Sequence, residues 1–191
     1  MSSIEPGALF IAESREYLRG EYLKKIETVI APLTNEQVWW RANDASNSIG
    51  NLMLHLAGNV RQWIVGGVGY SDVTRDRDLE FATRDGAPVP VLVAELTQAV
   101  DASCAVLTDL EARASLDPSV LLAPLEIQRF ETTVLGAVYH VVEHFSMHTG
   151  QIILLAKMHT GRDAGFYRLR SDGTPEPTWT ETRPFEGTPR D

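Results

Sequence analysis

Four long stretches of this 191-residue chain repeat their apolar residues at spacings of three and four, and no stretch alternates at period two. An α-helix turns about 100° per residue, so that spacing gathers apolar side chains on one face. Residues 8–30 carry Phe10, Tyr17, Tyr22, Ile26 and Ile30 in this way, and residues 48–66 carry Leu52, Leu56, Val60 and Trp63. Residues 89–114 form a third such stretch, and residues 133–160, with Val134, Val138, Val141, Phe145 and Ile152, form the fourth. Helices of this kind bury their apolar faces against one another, which predicts an all-α four-helix bundle.

The residues between the stretches fit that reading. Thr34 and Gln37 have the spacing of a capping box, so LTNEQVWW predicts an extra short helix. Asn47 or Ser48 caps the second long helix and Gly66-Gly67 ends it. Residues 67–89 read as a polar, covering loop, long enough to be functional. Residues 115–131 read as irregular, with a short extended piece at LEIQRF. Thr132 or Thr133 caps the fourth helix and Gly161 stops it. The expected organisation is a bundle over residues 1–160 and an irregular C-terminal tail over 161–191. The tail is rich in Gly, Pro and Thr, and its Phe166, Tyr167, Trp179 and Phe185 point to packing on the bundle or on a dimer partner.

The formal net charge is −9, and lysines and arginines gather in no run, which excludes nucleic acid as a partner class. No stretch reads as the roughly 20 apolar residues of a membrane span, and the first residues lack a signal peptide's basic and apolar regions. The expectation is a cytoplasmic protein that does not enter membranes. The single cysteine, Cys104, sits in the apolar pattern AVDASCAVL and reads as a small buried hydrophobe rather than a nucleophile.

Three of the five histidines lie in YHVVEHFSMHTGQIILL, at 140, 144 and 148. Residues four apart on a helix are roughly 40° and 6 Å apart, close enough for two imidazoles to reach one ion with bonds of about 2.0–2.1 Å. His140 and His148 are about 12 Å apart along the axis, too far for one helix to give three rings to one metal. On the helical wheel His148 lies about 55° from the apolar direction, His144 about 95° and His140 about 135°. His144 and His148 are the better pair. His55 is the histidine left to join them, roughly 100° off its helix's apolar face and flanked on the same edge by Asn51 and Asn59. Polar edges on two helices suit a site with an open mouth. Spacing alone leaves two alternatives: a metal centre, or ordinary border residues.

The segment His144-Phe145-Ser146-Met147-His148-Thr149-Gly150-Gln151-Ile152 resembles the signature of the DinB-like four-helix-bundle proteins. So do SIGNLMLHLAGN, residues 48–59, and LTNEQVWWR, residues 33–41. The resemblance covers about residues 8–160. It implies one metal-ligating histidine on the second long helix and two on the fourth, which here are His55, His144 and His148. It also implies zinc, or alternatively nickel, a choice the ligand chemistry leaves open. His140 and Gln151 are then candidates for hydrogen-bonding a ligand, and Trp39, Trp40, Trp63 and Tyr70 for walls of a pocket. Glu143 reads as a surface carboxylate.

Characterised relatives include S-transferases and isomerases that use low-molecular-weight thiols such as bacillithiol or mycothiol. The resemblance therefore implies a metal-dependent thiol transferase acting on a small molecule, and a homodimer. A non-enzymatic metal-binding or stress-response protein and a metal-dependent hydrolase fit the same residues. Tail residues 161–191 lie beyond the resemblance and take no role from it.

Overall fold

A computed structural model describes residues 5–179 of the chain; Phe185, expected to pack, lies outside them. Helix α1 has two α-helical parts, Pro6–Glu16 and Leu23–Ile30, joined by a π-wound stretch, Tyr17–Tyr22. The short helix α2, Asn35–Trp39, starts with both bonds of the Thr34–Gln37 capping box. Helix α3, Ile49–Val60, is capped by Ser48 and continues as a π-wound stretch, Arg61–Val68. A short helix α4, Arg77–Ala82, lies in the loop read as polar and covering. Helix α5 is Val89–Leu116. Helix α6, Val134–Thr160, is capped by Thr133 and closed by Gly161 at φ 64°.

The four long helices are α1, α3, α5 and α6. Helix α5 packs against α1 and α3, and α6 against the same two from the other side, so the chain is an all-α four-helix bundle. Its core holds Ile11, Leu18, Ile26, Leu52, Leu56, Ile64, Leu96, Leu107, Val138, Val141, Phe145 and Ile152, all nearly inaccessible. The apolar positions read on α3 and α6 are all buried, whereas on α1 Ile26 and Ile30 are buried, Tyr17 is exposed, and Ile11 and Leu18 take the inward places instead.

Three local features differ from the sequence reading. Residues 115–131, read as irregular apart from an extended piece at LEIQRF, hold that extended piece as part of a hairpin. A 3-10 turn, Pro118–Leu122, leads into strand β1, Pro124–Ile127, which pairs antiparallel with β2, Phe130–Thr133. The tail is not wholly irregular, since β3, Tyr167–Leu169, pairs with β4, Pro175–Pro177. Both hairpins are too short for alternation to register as a pattern. Lys25 Nζ on α1 lies 4.0 Å from the Trp179 ring centroid and 5.6 Å from that of Phe166, which packs on the core.

Thirdly, α5 is long and apolar enough, by length and composition alone, to cross a membrane, contrary to the sequence reading. In the fold it is a bundle helix. Leu92, Leu96, Val100, Leu107 and Leu110 are buried, while Asp101 and Glu111 pair with Arg19 and Arg15 of α1 at 2.6 and 2.9 Å. The buried apolar residues of α5 gather on the face that packs against α1 and α3, which is why a bundle helix can be this apolar.

Candidate metal centre

Helix α6 presents His144 and His148 one turn apart, and α3 presents His55 across from them. One ring nitrogen from each of the three lies within 4.8 Å of the others. His144 Nε2 is 3.1 Å from His55 Nε2 and 3.1 Å from His148 Nε2. Four tetrahedral ligands at about 2.0–2.1 Å from zinc would sit roughly 3.3 Å from one another, so the two contacts to His144 already have the spacing of neighbouring ligands.

The outer nitrogens decide which way the rings are protonated. His148 Nδ1 is 2.7 Å from Gln151 Oε1. His55 Nδ1 is 2.9 Å from Glu80 Oε2. A carboxylate only accepts, so His55 Nδ1 carries the hydrogen; Arg75 Nη2, 3.0 Å from that nitrogen, donates instead to Glu80 Oε2 at 2.8 Å. Both rings therefore turn a lone pair at Nε2 toward His144. A hydrogen on His144 Nε2 can satisfy one of these lone pairs and not both. A cation at the centre satisfies all three. His144 Nδ1 is buried without a hydrogen-bond partner among the described residues.

Burial pushes the His144 imidazole down to about 3, with His148, His55, His140 and Arg75 adding to the effect. Burial also lowers His148, partly opposed by its bond to Gln151, and it lowers His140. Neutral imidazoles keep the lone pairs that a metal needs. For Glu80, burial acts upward, but the hydrogen bonds from Arg75 and His55 and the guanidinium charge outweigh it and hold the carboxyl below its ordinary value.

The wheel places His55 at a border, yet it is only 4% exposed. The cause is the loop after α3, whose Phe81 ring lies tilted 4.6 Å from the imidazole and whose Glu80 caps it. The polar edge of α3 accordingly faces a covering segment rather than an open mouth. Asn51 is fully buried and donates to Glu80 O and Thr83 O at 2.8 and 2.9 Å. On α6, His148 is buried and His144 half-buried, so the centre approaches solvent on the His144 side.

His140 stands there, its ring 4.2 Å from Trp63 and 5.4 Å from His144 by centroids. Of the four proposed wall residues, Trp63 is thus the one placed beside the histidines. Trp39 is core and donates to Ala87 O, Trp40 meets His159 edge-on at 4.9 Å, and Tyr70 is exposed. Glu143 is exposed. Glu80 and Arg75 escape the sequence reading because helical periodicity carries no signal about which loop residue folds back onto a helix.

Residues 5–168 match the model of a family described as protein of unknown function (DUF1572). No curated protein matches the chain. The match spans most of the sequence and includes all three histidines, and the chain belongs to this family.

Proposed function

We propose that this DUF1572 member is a DinB-like divalent-metal protein. In this reading zinc, or alternatively nickel, is held by His55, His144 and His148, and the protein is a metal-dependent enzyme of the thiol S-transferase type acting on a small molecule. The observation that carries the metal reading is the pair of 3.1 Å contacts that bring three Nε2 atoms together while Glu80 and Gln151 hold Nδ1 of two of the rings. A bound zinc or nickel ion would supply Lewis acidity, lowering the pKa of a thiol or water at its vacant position.

The chain's own residues do the rest. Desolvation keeps His144 and His148 neutral and available as donors. Glu80 and Gln151 fix the tautomers of two ligands. Beside His144 stand His140 and the largely buried Trp63, their rings tilted by 46°, an aromatic flank that favours an apolar electrophile. The chain brings no reactive thiol of its own, because the Cys104 thiol is pushed up to about 11, so the nucleophilic sulfur has to arrive as a small co-substrate. A cytoplasmic setting belongs to the same reading, since small thiols are kept reduced there.

The test is metal content by elemental mass spectrometry on untagged protein. About one equivalent of zinc or nickel is expected in the wild type, lost in His55→Ala, His144→Ala and His148→Ala and kept in His140→Ala. A wild type that takes up neither metal would end the metal reading. A metal-loaded protein that accelerates no transfer of a low-molecular-weight thiol would end the transferase reading and leave a metal-dependent hydrolase or a non-enzymatic metal protein.

A further inference from the structure

We infer that Glu80 is a positioning residue of the three-histidine centre, seated by Gly58 and Arg75, and that it sets how tightly His55 holds a metal. This inference rests on the metal reading above.

Glu80 reaches the site from α4, outside the bundle's long helices. Its side chain is 9% exposed, and a carboxylate so buried is costly unless its oxygens are engaged. Here they are. Oε2 faces His55 Nδ1 at 2.9 Å, and the Arg75 fork donates from Nε to Oε1 at 2.6 Å and from Nη2 to Oε2 at 2.8 Å. Arg75 is itself only 5% exposed, and its Nη1 donates to Gln62 Oε1 at 2.9 Å. The Glu80 backbone is tied down as well, through its carbonyl to Asn51 Nδ2. Every bond that would fix this carboxylate against His55 is present.

Gly58 supplies the independent observation. It lies within α3, three residues after His55, where a glycine weakens a helix. A Cβ at this position would overlap Glu80 Oε1 and come 2.8 Å from Arg75 Nε. The helix surface is hollowed where the ion pair approaches. The three imidazoles are consequently graded. His55 donates to a carboxylate, His148 to a neutral amide, and His144 Nδ1 has no hydrogen-bond partner among the described residues. An imidazole that donates to a carboxylate is the more basic donor at its other nitrogen, and loss of such a partner typically weakens metal binding by about 10–100-fold.

The experiment measures zinc affinity by chelator competition and the visible spectrum of the cobalt form, for wild type, Glu80→Gln, Gly58→Ala and the double variant. Circular dichroism confirms that each is folded. Each single substitution is expected to weaken zinc about 10–100-fold and to shift the cobalt bands. The double variant is expected to lose no more than the worse single one, because both act through one bond. Affinities within about twofold of wild type, or losses that simply add, would overturn the inference while leaving the metal site standing. A wild type that binds no metal would instead overturn the reading beneath it. If Glu80→Gln does not fold, Gly58→Ala decides alone.

Discussion

Cys104 sits on α5, half-buried, and its chemistry follows from its surroundings more than from its type. Burial raises the thiol to about 11, and Asp101 adds to the rise, against smaller opposing effects from Arg15 and Arg19. A thiol at about 8.5 is roughly one quarter thiolate at pH 8, and one at about 11 roughly one thousandth. Alkylation of the folded protein by iodoacetamide at pH 8 is therefore expected to run about 250-fold slower than that of a free cysteine, and to recover when guanidinium unfolds the chain. A fast reaction in the folded state would contradict the burial argument. The histidines show the same dependence on surroundings. Their positions along α6 were readable, because fixed turns per residue place His144 beside His148. The burial of His55 was not, because it comes from Glu80 and Phe81, residues whose own segment has no periodicity to read. The available signal was Gly58, a small residue on a helix's polar edge where a larger one would stabilise the helix.

At the scale of elements, caps were legible and windings were not. Ser48, Thr34 and Thr133 each accept a backbone N–H three residues on, as their side chains dictate. Gly66-Gly67, read as a helix stop, lies inside a helix that runs to Val68. At Gly67 a Cβ would overlap Ile127 of β1, so this glycine serves the docking of a hairpin that its own neighbourhood does not announce. That hairpin turns through Gln128 and Arg129, with φ 55° and 67°, between the paired Ile127 and Phe130. A two-residue loop with both φ positive is a type I′ turn, which favours Asn-Gly, and neither resident has that freedom. Gln128 is engaged by Gln62, while Arg129 is exposed. Arg129→Gly is expected to stabilise the protein by about 1 kcal/mol, raising the urea midpoint without changing the slope. An unchanged or lower midpoint would mean that the turn is not strained.

For the whole molecule, the bundle was legible because four amphipathic helices have few ways to hide four apolar faces. Of the first hairpin only an extended piece at LEIQRF was legible, and the second hairpin and α4 were not, because each is stabilised by what it lies against rather than by its own pattern. The centre joins these two kinds of structure: its ligands stand on α3 and α6, and one of their partners stands on α4. A ligand that binds only the folded arrangement must stabilise all of it together. At a free metal concentration of about 100 times the dissociation constant, the gain is about 2.7 kcal/mol. For a chain of this size that raises the melting temperature by about 5–11 °C, at about 2–4 °C per kcal/mol. Zinc added to chelator-treated wild type is expected to produce such a rise, and a chelator to reverse it. In His148→Ala the rise should be absent, since the two remaining imidazoles do not close the site. A wild-type melting temperature indifferent to zinc at saturating concentration would mean that the three nitrogens meet without a cation between them. An equal rise in wild type and His148→Ala would place the stabilising metal elsewhere on the protein.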